Sequence, residues 1–106
     1  MLMAENDPKN QSGVTTLPKT RVREPHLYQV LLINDDYTTM EFVISVLQKY
    51  FHKGLSEASR IMMSVHQQGR GVCGTYPHDI ASTKVVQVTE FARQQEMPLR
   101  CEMERA

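Results

Sequence analysis

The stretch HLYQVLLIN, residues 26–34, constrains this chain more than any other. It is rich in β-formers and too short for a typical helix, so it reads as a strand. It ends abruptly in an amide and two adjacent carboxylates, Asn34, Asp35 and Asp36. A plain turn needs far less polarity than that.

Beyond residue 36 the periodicity switches between helix and strand. In NDDYTT the hydroxyl of Thr38 and the carboxylate of Glu41 have the spacing of a capping box, which opens a helix over about 39–51. Met40, Val43, Ile44, Leu47 and Phe51 form its apolar stripe. Gly54 is expected to end it. Ser56 is placed to cap a second helix, about 57–68, with Ala58, Met62, Val65 and His66 on one face and Gly69 as its stop. The glycine-punctuated GRGVCGTY, 69–76, leans to a strand in which Gly71 and Gly74 suggest a bulge or a close approach. Pro77 suits the first helical position, with Asp79 in the first turn. That third helix should run to about Gln95 on a stripe of Ala81, Val85, Val88, Phe91 and Ala92. After Pro98, residues 99–104 alternate as a last strand. The order β-α-α-β-α-β predicts an α+β fold, a three-stranded antiparallel sheet with three helices on one face.

Residues 1–24 are polar, carry two prolines and have no aromatic, so a disordered N-terminal tail is expected ahead of a single domain at 25–106. The 106 residues hold 12 Lys and Arg against 12 Asp and Glu. That balance argues against a nucleic-acid partner, which would want a basic surface. No apolar window is long enough to span a membrane, and the start MLMAENDPKN lacks the features of a secretory signal. Cys73 and Cys101 form no CxxC pair and read as reduced, buried thiols.

Two neighbouring carboxylates repel, so Asp35 and Asp36 invite a cation: a metal, a basic side chain or a ligand amine. Asn and Asp are also ordinary turn residues, and His66 could be an ordinary hydrogen-bonded core histidine. Met40 and Val43 on one helix and Met62 on the next could wall an apolar slot with His66 and Asn34 at its mouth, methionine being flexible enough to accept several shapes. The stripes could equally be plain core. No nucleophile lies beside a base at short range, and the four histidines show no metal-binding spacing. An enzyme is therefore not expected, and neither a cofactor nor a metal.

The blocks VLLINDDYTTMEFVISVLQKYF and MMSVHQQGRGVCG, with TKV at 83–85 and PLRC at 98–101, closely resemble the ClpS family. These are bacterial adaptors that deliver N-end-rule substrates to the ClpA unfoldase and its protease. The likeness covers about residues 25–106. It implies that Asn34, Asp36 and His66 receive a substrate's free α-amine, with Asp35 adding negative potential and Thr38 meeting the backbone beyond. It implies that Met40, Val43, Met62, Val65 and Leu99 enclose the first side chain, which is Leu, Phe, Tyr or Trp. It places contacts to the N-terminal domain of a ClpA-type AAA+ unfoldase on Asp79, Thr83 and Lys84, in the cytoplasm, with no nucleic acid and no membrane involved. The chain departs from the family pattern at Thr39, where proline is common, at Gln67, where an aromatic is common, and at Ser82, where an acid is expected. The alternative is a docking domain of ribosomal-stalk fold without such a pocket. The grouping of Asn34, Asp36 and His66 separates the two, because a docking platform needs no amine clamp.

Overall fold

β1, Leu27–Ile33, lies in the middle of the sheet, and everything else is arranged around it. The computed structural model describes residues 26–106, so the expected tail at 1–24 lies outside the described residues. After β1 come α1 (Met40–Phe51), α2 (Leu55–Gln68), β2 (Arg70–Pro77), α3 (His78–Gln94) and β3 (Arg100–Arg105). Both edge strands pair antiparallel with β1, in the order β2-β1-β3.

Side chains alternate across a strand. Val30 and Leu32 therefore point one way, into a core shared with Val43, Val46, Leu47, Met62, Val65, Val88 and Leu99. Stacked Phe42 and Phe91 rings, 5.2 Å between centroids, join α1 to α3. Leu31 points to the opposite face yet is only 3% exposed. Arg70 pairs with Ile33 and Glu104 with Gln29, on either side of Leu31. Their ion pair, 2.8 Å, ties one edge strand to the other across that face.

Glycine does its work in β2. The ladder skips between Val30 and Leu31, leaving Cys73 as the extra residue between Val72 and Gly74. At Gly71 the strand passes so close to α2 that an added Cβ would come within 2.8 Å of Val65 Cγ2. Both thiols are buried and unpaired. Burial, and then the charge of Glu102, pushes Cys101 up to about 12, and burial raises Cys73 further. Neither can act as a thiolate near neutrality.

Several helix ends differ from the sequence reading. Thr39, not Thr38, caps α1: its hydroxyl accepts from the Phe42 amide at 3.1 Å, while Thr38 is drawn away by Asp35. α1 stops because His52 turns left-handed, before Gly54 is reached. Gly54 instead forms the N-cap of α2, which begins ahead of Ser56. Pro77 is the N-cap of α3 and the last residue of β2, one position earlier than expected.

Candidate functional site

Between the end of β1 and α1 the chain makes a short loop, and Asp35 organises it. Its Oδ1 accepts the amides of Tyr37 and Thr38, both at 2.8 Å, and its Oδ2 accepts the Thr38 hydroxyl at 2.6 Å. Partial burial pushes the Asp35 carboxyl up, but these hydrogen bonds outweigh it and hold the group below its ordinary value of 3.8. Both oxygens are thus engaged within the loop, and so is the Thr38 side chain.

The loop is anchored at its start as well. The amide of Asn34 donates to the carbonyl of Gly69 at 3.0 Å. Gly69 is the left-handed C-cap of α2, with φ of 90°, and its own amide returns to Val65 O. This bond draws the end of β1 against the last turn of α2, the turn that carries His66.

A hollow of about 450 Å³ lies between the loop, the first turns of α1 and the last turns of α2. Asn34, Asp35, Asp36, Thr38 and His66 line its polar side. Met40, Val43, Met62 and Val65 line the apolar side. Val43, Met62 and Val65 are buried, whereas Met40 is 41% exposed and stands at the rim. His66, which shares the apolar stripe of α2, is exposed. Leu99 is not brought to the hollow: it sits just before β3, 5% exposed, packed in the core. Tyr37, Thr39 and Glu41 also line the hollow and were not among the site residues expected from the sequence. Their signal was their place within the NDDYTTMEF block.

The electrostatics favour a cation. Asp35, Asp36 and Glu41 line the hollow, and among the described residues no Lys or Arg does. The negative end of the α2 dipole adds to them, and the positive end of α1 offsets about half a charge. Among the described residues no three His, Cys, Asp or Glu side chains gather as metal ligands. A small cation carrying N–H donors next to an apolar group matches this lining.

The three residues expected to dock an unfoldase lie on α3 but do not present alike. Asp79 and Thr83 are exposed, with the Thr83 hydroxyl donating to Asp79 O at 3.0 Å. Lys84 is half-buried: its ammonium donates to Tyr50 O at 2.6 Å, and it stands over the rings of Phe51 and Tyr76.

The sequence pattern of the family described as ATP-dependent Clp protease adaptor protein ClpS matches residues 23–102. The chain belongs to the ClpS family. A ClpS adapter protein from Parvibaculum lavamentivorans is 54% identical over 94 residues, which is 89% of this chain and 86% of that one. The ClpS protein of Brucella canis is 51% identical over 100 residues, 94% of this chain and 86% of that one. In structure the chain is similar to Agrobacterium tumefaciens ClpS2 bound to L-phenylalaninamide, with a TM-score of 0.76 and 37% identity, over 78% of this chain and 100% of that one. The antiparallel sheet and three helices predicted above are thus the ClpS fold. Among the described residues no helix is long and apolar enough to cross a membrane.

Proposed function

We propose that this protein is a cytoplasmic adaptor that binds the N-terminal residue of substrate proteins, when that residue is Leu, Phe, Tyr or Trp, and delivers them to a ClpA-type unfoldase. The observation that carries the reading is the hollow itself, with amide, carboxylate and imidazole on one side and Val43, Met62 and Val65 on the other. Phenylalaninamide, the ligand of the Agrobacterium relative, has that shape: a free α-amine beside one large apolar side chain, with no carboxylate.

The chemistry divides between two faces. A free α-amine has a pKa of about 7.7–8.0 and is mainly cationic at neutral pH. Asn34 Oδ1, the Asp36 carboxylate and a neutral His66 nitrogen accept its N–H donors, directly or through water. An imidazolium would repel it. Asp35 and Thr38 act one step back, by fixing the loop that presents Asp36. Burying the first side chain contributes roughly 1.5–3 kcal/mol. No step of bond making is involved; the cysteines are protonated and buried, and the module binds. Asp79 and Thr83, exposed in the first turns of α3, form the unfoldase contact. Lys84 belongs to the same surface through its aliphatic stem, with its ammonium turned to α1.

Calorimetry with a Leu-ended peptide and its Ser-ended twin tests the reading. The Leu-ended peptide should bind at least about tenfold more tightly, which is about 1.4 kcal/mol. Equal affinities would remove the pocket from the account.

Met40 supplies the exclusion of branched ends. It stands at the rim at the first position of α1, where Cβ-branched Ile and Val are wide and stiff. Met40→Ala should admit Ile- and Val-ended peptides, reducing their disadvantage against Leu by roughly tenfold. A fluorescence-anisotropy competition reads this; unchanged discrimination would free Met40 of the role.

A further inference from the structure

We propose that Tyr37 is a platform for the second residue of the bound chain, and that it favours a planar side chain there, arginine above all. The inference rests on the N-terminal-residue reading of the hollow and extends it outward.

Tyr37 is 79% exposed, more than any other large apolar or aromatic side chain among the described residues. It is absent from the side chains packed on the core, and among the described residues it has no ring or cation partner. Folding therefore gives no account of an aromatic here. Nor is its backbone loosely held: its amide and the next one are both fastened to Asp35 Oδ1 at 2.8 Å. An open ring is carried on a fixed loop, and it lines the same hollow as Asn34, Met40 and His66.

The geometry of an extended peptide turns its second side chain out of the pocket, toward the rim to which Tyr37 contributes. Consecutive Cα atoms lie about 3.8 Å apart, and successive side chains point to opposite faces. With the first side chain sunk between α1 and α2, the second turns back toward the exposed rim. At about 450 Å³ the hollow is of a size that takes more than one side chain.

The rim chemistry selects the partner. Tyr37 offers a π-face, and Asp36 and Glu41 line the same hollow. A guanidinium stacks flat on the ring and still reaches a carboxylate, whereas a lysine ammonium shares the charge but not the plane. Charge alone would treat the two alike, so the arginine-to-lysine ratio reports the ring.

The test uses the full chain and labelled peptides starting Leu-Arg, Leu-Lys and Leu-Gly on one common tail, with a Ser-Arg control, read by anisotropy. Leu-Arg should bind about two- to fivefold more tightly than Leu-Lys. Tyr37→Ala should bring that ratio to one and weaken Leu-Arg more than Leu-Gly, and Tyr37→Phe should keep the ratio. A ratio of one in the unaltered protein, or an undiminished ratio in Tyr37→Ala, overturns the proposal. So does an equal fall for all three peptides, which would make Tyr37 a loop-shaping residue. Equal binding of Leu-Arg and Ser-Arg would defeat the parent reading, and this proposal with it; a Leu preference with a flat second-residue ratio defeats this proposal alone.

Discussion

A Leu-ended peptide whose α-amine has been acetylated should give no measurable heat at concentrations that saturate the chain with the free-amine form. Acetylation removes the positive charge and leaves one N–H in place of a cluster of donors. Asn34, Asp36 and His66 would then face a blocked end. Each acceptor left desolvated and unpaired costs about 1–3 kcal/mol. Two or three of them together imply a loss beyond roughly hundredfold. The apolar contact with Val43, Met62 and Val65 is untouched by the modification, so the experiment isolates the polar half of the hollow. Affinity kept within a few-fold would mean that the side chain alone is read, and the amine clamp would have to be abandoned.

The second large effect is expected from a residue that need not touch the ligand. Asp35→Ala removes three hydrogen bonds at once, to the Tyr37 amide, the Thr38 amide and the Thr38 hydroxyl. At about 0.5–1.5 kcal/mol net for each, the ordered loop loses roughly 2–4 kcal/mol against its alternatives. Affinity for a Leu-ended peptide should fall at least tenfold while the helices and sheet remain, as judged by circular dichroism. Asp35→Asn keeps one acceptor for the two amides and can donate to the Thr38 hydroxyl, so it should recover most of the loss. An Asp35→Ala protein that binds normally would show that the loop stands without its organiser.

The pH dependence of this loop has a definite sign. The Asp35 carboxyl is held below its ordinary 3.8 in the folded protein. Its contribution is therefore complete above that pH and is lost only as pH falls through the lower folded value. Loss of the loop's order is confined to the region below about pH 4, and an NMR titration of the Tyr37 and Thr38 amides against pH checks it.

How much of this was legible beforehand depended on how local each cause was. The strands and helices were written in short-range periodicity, and the bulge was hinted at by Gly74 beside the skipped register. The first cap was misassigned because Thr38 and Thr39 are both hydroxyls at a helix entrance. The choice between them is made by Asp35, which takes Thr38 for its own turn and leaves Thr39 to the Phe42 amide. At His66 the stripe allowed two places, a core position or one beside Asn34 at the mouth of a slot. The apolar stripe of α2 points partly into the core and partly at the hollow, and the last turn rotates His66 out to the rim. Leu99 is a different case. Family likeness groups it with the pocket residues, and the structure packs it in one core cluster with Val43, Met62 and Val65, beneath the residues that line the hollow. The convergence of Asn34 with His66 depends on the bond from Asn34 N to Gly69 O, which joins residues 35 positions apart and leaves no mark in either local pattern.

Gly71 carries a further consequence. A methyl group there would meet Val65 Cγ2 at 2.8 Å and the carbonyl oxygen of Ile61 at 3.2 Å, so the Val65 side chain or the helix carrying it would have to shift. Val65 and its neighbour His66 both line the hollow. The width of the cleft is consequently gauged from behind, by the bareness of a strand residue that no ligand reaches. Selectivity in such a protein can drift through substitutions on the far side of the wall, with every ligand-facing side chain preserved.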